Sequence, residues 1–262
     1  MIKNYQNGHD FINDNAEYLN KNKYLSVFFF LDAKLLNETS NTNYAVKVQN
    51  NEFKLLALKV EPYNMLLYGD KECLRELLEY LKLQGLALNG IMCPKEIGDC
   101  LVKNHNYIED ILMDFMETNE YTEPSSNEVE KATIEDVEEI HLCTLNFFKD
   151  CGLKDKPDIE AIKKKIDQYR LIKVDGKIAS MASFSKGTED SCRISYVYTK
   201  PEYRNHGYAR KIVNSIKNEI LDMHFTATLN VDQKNPISNH VYSSLGFKKV
   251  YSQGIYYLKE EN

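Results

Sequence analysis

The hydrophobic positions in the second half of the chain switch repeatedly between helical and strand spacing. Apolar residues three or four positions apart predict helices over residues 208–221 and 236–245. Alternating apolar residues predict strands over 193–199 and 225–231, and the last segment, 247–258, is predicted as a strand or a hairpin. This alternation of elements is typical of a sheet packed against helices.

Capping and turn residues mark the earlier elements of this half. A short strand is predicted just before Thr133, and Thr133 with Asp136 three residues later is a helix-start signature. A second helix is predicted after Pro157. Asp175 and Gly176 stand between two strand-like runs, and this dipeptide is a strong hairpin signal.

The first half of the chain has a similar order of elements. The spacing predicts helices over 11–19 and 25–36, strands over 44–48, 53–60 and 64–68, a helix over 70–83, a strand over 86–89, a helix after Pro94 and a strand over 108–115. We therefore expect an α/β protein (α+β, with a mixed sheet) whose halves are diverged copies of one structural unit.

A polar segment over residues 117–127 separates the two halves. It has no apolar periodicity and contains Pro124-Ser125-Ser126, which is typical of a linker. Since a domain usually has ~100–200 residues, we predict two domains, 1–124 and 125–262.

Composition excludes several classes of protein. The 262 residues carry a net charge of −6, so no nucleic-acid partner is expected. The longest apolar run, residues 27–31, is far shorter than the ~20 residues that span a bilayer. The six cysteines form no C-x-x-C pair, so we expect reduced thiols and no metal site. We expect a soluble, cytoplasmic protein without a membrane partner.

The clearest sign of ligand chemistry lies in residues 197–210. A strand ends before Pro201, and the loop Arg204-x-x-Gly207-x-Ala209 then opens an amphipathic helix. Small residues let the main chain approach an anion, and the N–H groups at a helix start attract phosphate. Arginines on both sides of the turn would add charge-assisted hydrogen bonds.

A second motif follows the next strand. Asn235 begins the run N-x-x-S-N-x-x-Y-x-x-L-G-F, in which Asn235 caps a helix and Tyr242 lies about two turns later. Together the loop and this run resemble the GNAT superfamily of acyl-CoA N-acyltransferases, over roughly residues 129–262. The resemblance implies a GNAT fold for this half and a degenerate GNAT-like fold for the first. It also implies acetyl-CoA as acyl donor, an amine as acceptor, and no metal.

The resemblance further implies a role for each matching residue. The main chain at Val197 and Thr199 would pair with the pantetheine arm, at a splay between two parallel strands. The implied cofactor-binding residues are Val197, Tyr198, Thr199, Arg204, Asn205, His206, Gly207, Tyr208, Ala209, Arg210, Asn235, Ser238 and Asn239. Ala209 stands where many members have glycine, and alanine still permits a close approach.

Tyr242 is the implied catalytic residue. The leaving thiolate needs a proton, and a phenol can donate one while remaining uncharged at neutral pH. A backbone N–H near Val197 would stabilise the oxyanion. Spacing alone describes Tyr242 equally well as a core aromatic residue. The general base stays open among Glu189, Asp190, Tyr198 and a water relay.

Other reactive side chains leave further alternatives. His206 is a solvated loop residue or a phosphate contact. His141 and His240 could line the acceptor site, although lone histidines seldom do. Cys151 could be a nucleophile, but the sequence assigns it no His or Asn partner, so packing or simple exposure is the better interpretation.

The first half lacks both motifs. Asp70 and Glu72 follow Gly69 where a phosphate loop would stand, and carboxylates at a helix start repel phosphate. We expect this half to shape the acceptor cleft or only to stabilise the protein, with a homodimer as one option for assembly. The whole chain is expected to be an N-acetyltransferase acting on an amine of a small molecule or peptide. The alternative is a non-catalytic acyl-CoA sensor or interaction module.

Overall fold

The computed structural model describes residues 1–88, 90–152 and 157–259, which divide into two compact units. The first unit combines Met1–Asp114 with the chain from Tyr251 onwards, and the second is Phe115–Val250. Residues 251–258 of the last strand therefore belong to the unit that is built mainly from the first half. The predicted domains, 1–124 and 125–262, stay a prediction.

The first half of the sequence contains six strands and four α-helices among its described residues. In chain order they are β1 (Ile2–Tyr5), α1 (Gly8–Leu19), α2 (Lys23–Ala33), β2 (Tyr44–Gln49), β3 (Lys54–Lys59), β4 (Met65–Gly69), α3 (Leu74–Leu83), β5 (Ile91–Pro94), α4 (Lys95–Asn104) and β6 (Tyr107–Thr118). Strands β1 to β4 pair antiparallel in sequence, whereas β4 and β5 pair parallel.

The second half repeats this order of strands and α-helices. Its elements are β7 (Glu130–Lys131), α5 (Val137–Asp150), α6 (Ile159–Lys164), β8 (Tyr169–Val174), β9 (Lys177–Thr188), β10 (Ser191–Thr199), α7 (Tyr208–Asp222), β11 (Thr226–Asp232), α8 (Pro236–Ser244) and β12 (Lys248–Leu258). Strands β7 to β10 pair antiparallel in sequence, and β10 pairs parallel with β11. The predicted mixed α/β class is confirmed, and β12 is a strand rather than a hairpin.

One strand expected in the first half was misplaced, and one observed strand was not predicted. The strand predicted over 86–89 lies instead at Ile91–Pro94, while Asn89 is outside the described residues. Leu86 and Leu88 do pack against the core. Among the described residues, however, their segment does not pair with a strand; the Ala87 N–H, for example, donates a hydrogen bond to the carbonyl of Asn41, which lies in a loop. The strand that was not predicted is β1, at the edge of the sheet, where it pairs with β2. Its residues are mostly polar and show no hydrophobic alternation that would indicate a strand.

The second unit has a core on each face of its sheet. Side chains on α7 pack on one face with Ile172 and Ile194. Side chains on α5 and α6 pack on the other face with Leu171 and Met181. Neighbouring residues such as Leu171 and Ile172 enter different cores, as the alternation of a β-strand requires.

The predicted cap at Thr133 is present. Its backbone N–H donates to Asp136 Oδ2 (2.8 Å), and its hydroxyl donates to the same oxygen (3.1 Å). The short 3₁₀ turn that it caps leads directly into α5. Thr133 therefore fixes the start of the helix that covers the α5–α6 face of the sheet.

We expect Thr133→Ala to lower the free energy of unfolding by about 1 kcal/mol, because the substitution removes the hydroxyl that bonds Asp136 at the helix start. Thr133→Ser keeps the capping oxygen and is the matched control. Urea denaturation followed by circular dichroism measures both. Equal stability of the two variants would contradict a stabilising cap.

No helix within the described ranges has both the length and the apolar character needed to cross a bilayer.

Candidate functional site

Strand β10 leaves regular pairing at the position where the ligand arm was predicted. Towards β9, Tyr196 and Val197 stand opposite the single residue Ala182, which is a β-bulge. Tyr196 has a φ of 53°, an uncommon value for a bulky residue. Towards β11, parallel pairing covers Ser191–Arg193, and the described residues show none beyond it. The two strands therefore separate before Val197 and leave its main chain accessible to a ligand.

Side chains on β9 and α5 fix the position of the end of β10. Ser180 Oγ donates to the Tyr198 carbonyl (3.1 Å) and lies 2.8 Å from Thr199 Oγ1. Glu139 on α5 pairs with Lys200 at 2.5 Å. Tyr198 itself is buried in the α5–α6 core, so only its main chain can face a ligand. No sequence motif contains the three residues Ser180, Glu139 and Lys200, so their role at this position could not be predicted.

The loop before α7 presents free main-chain N–H groups. Asn205 and Gly207 have φ values of 67° and 76°, so two left-handed residues flank His206. Within the described ranges, the N–H groups from Asn205 to Ala209 make no hydrogen bond to the main chain or to a side chain. A Cβ built on Gly207 would meet no atom within 4 Å. Unpaired N–H groups at a helix start, with open space beside Gly207, form an arrangement that can accept an anion.

Both arginines at this loop already have partners. Arg204 donates from Nη2 to Asp150 Oδ2 (2.8 Å) and from Nε to the Thr199 carbonyl (3.1 Å). Arg210 donates from Nη2 to Glu123 Oε2 (3.1 Å) and from Nη1 to Ser244 Oγ. Each guanidinium carries five N–H donors, so each can bind an anion with its remaining ones or by exchanging a carboxylate. The main chain of the loop is free, whereas the cations are not.

His206 and Tyr208 form the rim of the loop. The His206 ring stacks on the Tyr208 ring with centroids 5.6 Å apart and planes at 12°. His206 Nδ1 lies 2.8 Å from the Arg204 carbonyl. The ring thus stiffens the turn, and a phosphate contact from it stays a prediction.

The start of α8 is built by the predicted asparagines. Asn235 Oδ1 accepts from the Ser238 N–H (3.0 Å), so the predicted helix cap is present. Asn239 Nδ2 donates to the carbonyls of Asp232 (3.0 Å) and Asn235 (2.7 Å). These bonds fix α8 at the end of β11. They also fix where Tyr242, two turns along the helix, enters the unit.

Tyr242 is buried at 7 % exposure in the core between α7 and the sheet. Its ring meets that of Phe247 edge-on, with centroids 6.2 Å apart. Burial raises the pKa of the phenol to about 12, although a hydrogen bond with the Ser238 side chain acts in the opposite direction. The hydroxyl is therefore protonated at neutral pH and can donate a proton or a hydrogen bond.

This pKa has a consequence for catalysis. An ordinary tyrosine titrates at about pH 10, whereas Tyr242 keeps its proton to about pH 12. If Tyr242 is the proton donor, kcat should not fall as the pH rises through about 10. A pH–rate profile measures this directly. A loss of activity with an apparent pKa near 10 in the wild type, absent from Tyr242→Phe, would contradict the raised pKa of Tyr242; the same loss in both would belong to another group.

The other reactive side chains are less suited to chemistry at this site. Partial burial, and then the charges of Asp150 and Asp232, raise the pKa of the Cys151 thiol, which disfavours the nucleophilic thiolate. His141 Nε2 lies 3.2 Å from the Pro157 carbonyl, a structural contact between α5 and the start of α6. His240 is exposed.

The two candidate carboxylate bases stand at the opposite end of β10. Glu189 and Asp190 precede the strand, and Asp190 is seven residues before Val197. At about 3.3 Å per residue, a strand of that length spans roughly 20 Å. Neither carboxylate can therefore reach a reaction beside Val197 directly, and a water relay or another group remains for the proton.

The corresponding loop of the first unit is closed. Strand β4 ends at Gly69, where a Cβ would lie 2.1 Å from the Lys54 carbonyl oxygen. Asp70 then accepts a hydrogen bond from the Lys54 N–H (2.8 Å). The main chain that would face a phosphate is thus packed against β3, and an acidic side chain follows it. At Gly207, by contrast, the space beside the main chain is open.

Comparison with known proteins agrees with this geometry. Residues 134–247 match the Acetyltransferase (GNAT) family. An acetyltransferase from the GNAT family of Colwellia psychrerythraea superposes with a TM-score of 0.61 at 11 % identity, over 99 % of this chain and 100 % of that one. A GCN5-related N-acetyltransferase from Sphaerobacter thermophilus gives 0.57 at 12 % identity, over 82 % and 80 %. At such identities the structures show a shared fold.

Proposed function

We propose, from the premise that residues 134–247 form an acetyltransferase domain of the GNAT family, that this protein moves an acetyl group from acetyl-CoA to an amine. The family and the fold indicate acyl transfer from an acyl-CoA. The acetyl group and the amine acceptor are the finer proposal. The observation that carries the proposed binding of an acyl-CoA is the loop from Asn205 to Ala209. Its free N–H groups lie at the start of α7, next to the end of β10 that, in the described part of the chain, no longer pairs with β11.

The proposed binding mode uses main chain more than side chains. The N–H groups of residues 205–209 would hold the diphosphate, because a helix start combines unpaired donors with positive potential. The main chain of Val197 and Thr199 would pair with the pantetheine arm as an added strand. Arg204 and Arg210 would add charge to the diphosphate from their half-exposed positions, at 48 % and 36 % side-chain exposure.

The proposed reaction is direct attack of a neutral amine on the thioester carbonyl. As the carbon becomes tetrahedral, its oxygen gains negative charge, and an N–H in the bulge near Val197 would stabilise it. Collapse then breaks the carbon–sulfur bond, and Tyr242 would donate a proton to the leaving thiolate. The amide product must release the proton of the attacking amine to water or to a base.

Tyr242 favours an enzyme over a non-catalytic sensor. A module that only binds an acyl-CoA needs the phosphate loop, but it has no use for a leaving-group acid. The phenol is buried, protonated and hydrogen-bonded by Ser238, as a positioned donor would be.

We also propose that the two halves arose by duplication and that the first no longer binds CoA. Both halves contain a parallel strand pair joined by a helix, β4–α3–β5 and β10–α7–β11. The closed loop at Gly69 supports the loss of binding. On this proposal each chain takes up one acetyl-CoA.

Acyl transfer is tested by release of free CoA thiol from acetyl-CoA in the presence of polyamines, aminoglycosides, amino acids and peptides. Mass spectrometry of the products identifies the acetylated nitrogen. Turnover with an amine supports the enzyme. Binding of acetyl-CoA without turnover across these classes would favour the sensor.

A further inference from the structure

An open cavity of about 210 Å³ lies on the α5–α6 face of the sheet in the second unit. Its floor is formed by β8, β9 and β10, and one wall by α6 and the residues just before it. Tyr169 and Tyr196 form an aromatic side, with parallel rings 6.5 Å apart. The mechanism proposed above assigns no role to this cavity.

The floor of the cavity is polar where a buried sheet face is normally apolar. Ser183, Ser185 and Ser195 line it, and the first and last of these stand opposite each other on β9 and β10. Within the described ranges these three hydroxyls make no hydrogen bond. Cys192 and Ile194, which alternate with the cavity residues on β10, enter the apolar core on the opposite face. The hydroxyls are therefore available to a ligand.

Arg193 extends this polar row, and none of the described carboxylates forms an ion pair with it. It is exposed, it lines the cavity and it stands opposite Ser185 in the strand register. The other arginines all form ion pairs, namely Arg75 with Glu79, Arg170 with Glu219, Arg204 with Asp150 and Arg210 with Glu123. Among the described residues, Arg193 is the one arginine whose guanidinium is left for a ligand.

The described lining of the cavity carries a net positive charge. Lys165 is a second cation in its lining, and it forms no ion pair among the described residues. Asp158 is the one carboxylate in the described lining, and its Oδ1 already accepts from the Glu160 N–H at 2.9 Å as the cap of α6. A planar guanidinium surrounded by hydroxyls matches a carboxylate or another oxyanion, because both oxygens can be bonded at once.

The cavity lies next to the proposed reaction centre along β10. Ser195 and Tyr196 line it, and Val197 follows directly in the bulge of β10. A ligand whose anion is held at Arg193 can therefore extend another group along β10 towards the opened end of the strand. In an acyl transfer that group is the attacking amine.

We propose that this cavity binds the acceptor through an anionic group, so that the substrate is an amine that also carries a carboxylate, such as an amino acid. Arg193 binds the carboxylate, and Ser183, Ser185 and Ser195 complete its hydrogen bonds. Simple polyamines, which have no anion, are poor acceptors. The inference rests on the proposed acetyl transfer and names its substrate class.

The test compares acceptors that differ only in the anion. Rates of CoA release are measured with acetyl-CoA and matched pairs: leucine and isopentylamine, lysine and cadaverine, phenylalanine and phenethylamine, with O-phosphoethanolamine as a phosphate-bearing amine. The enzymes are the wild type, Arg193→Gln and Arg193→Lys. Arg75→Gln, an exposed arginine of the first unit, is the control. Affinity for acetyl-CoA is measured for each by calorimetry.

We expect turnover with the carboxylate-bearing member of at least one pair. Arg193→Gln should lower kcat/KM for it by about 10- to 100-fold, since a hydrogen bond to a charged group contributes about 1.5–3 kcal/mol. Arg193→Lys should recover part of the loss, and Arg75→Gln should match the wild type. Affinity for acetyl-CoA should not change in any variant. Turnover of O-phosphoethanolamine alone, with the same loss in Arg193→Gln, would assign the site to a phosphate.

Three results would overturn the inference. One is turnover confined to amines without an anion, and another is turnover of the amino acids that Arg193→Gln leaves unchanged. The third is retained acetyl-CoA binding with no turnover of any of these acceptors. If acetyl-CoA itself does not bind, the proposed function fails instead, and the two failures are thereby told apart.

Discussion

Gly207→Glu is expected to lower the affinity for acetyl-CoA by at least about 100-fold, because it places a carboxylate where the diphosphate is held. Two unit charges 4 Å apart near a protein surface repel each other by about 4 kcal/mol. The loss of one or two hydrogen bonds to a charged group adds about 1.5–3 kcal/mol for each. Isothermal titration calorimetry with acetyl-CoA measures the change.

The structure supplies a matched control at Gly176. Both glycines have a positive φ, 76° at Gly207 and 75° at Gly176, and a Cβ on either meets no atom within 4 Å. The two substitutions therefore carry similar backbone strain, and neither creates a steric clash with the core. Gly176→Glu lies in the β8–β9 turn and should leave the affinity unchanged. Equal affinities for acetyl-CoA in the two variants would remove the loop from the binding site.

Tyr242→Phe is expected to lower kcat by at least about 100-fold while the affinity for acetyl-CoA changes little. A positioned general acid contributes about 10²- to 10⁴-fold to the rate. Phenylalanine keeps the ring that packs on Phe247 and removes only the hydroxyl bonded to Ser238. Steady-state rates of CoA release, together with calorimetry, separate the two effects.

Tyr256→Phe is the control for removal of a buried hydroxyl. Tyr256 is fully buried in the first unit, and its hydroxyl has no hydrogen-bond partner among the described residues. Its replacement should leave kcat unchanged and should not lower stability, since no bond is lost. A kcat for Tyr242→Phe equal to that of Tyr256→Phe would make Tyr242 a core residue and nothing more.

The parts of the fold that could be predicted are those specified by neighbouring residues. Asp175 and Gly176 adopt φ values of 51° and 75° and form the tight turn that their sequence indicates. Thr133 and Asp136 form the capping box for the same reason. The helix of residues 208–222 buries the apolar stripe that its spacing predicts. In each case the residues that specify the element lie close together in the sequence.

The parts that could not be predicted depend on distant partners. Residues 253–256 of β12 pair with β5, about 160 positions earlier, and local hydrophobicity does not encode that choice. The polar row at Arg193 and Ser183 becomes visible only when β9 and β10 are in register. Similarly, the sequence predicts Arg204 as a phosphate ligand, but it does not show the ion pair of Arg204 with Asp150.

The proposed binding of acetyl-CoA depends on the main chain of one loop, at the start of α7 in the second unit. This loop is open, whereas the corresponding loop of the first unit is closed. Titration of the purified full-length protein with acetyl-CoA in a calorimeter tests this most directly. We predict saturable binding with one acetyl-CoA per chain. An absence of binding heat across several temperatures, or uptake of two molecules per chain, would contradict it.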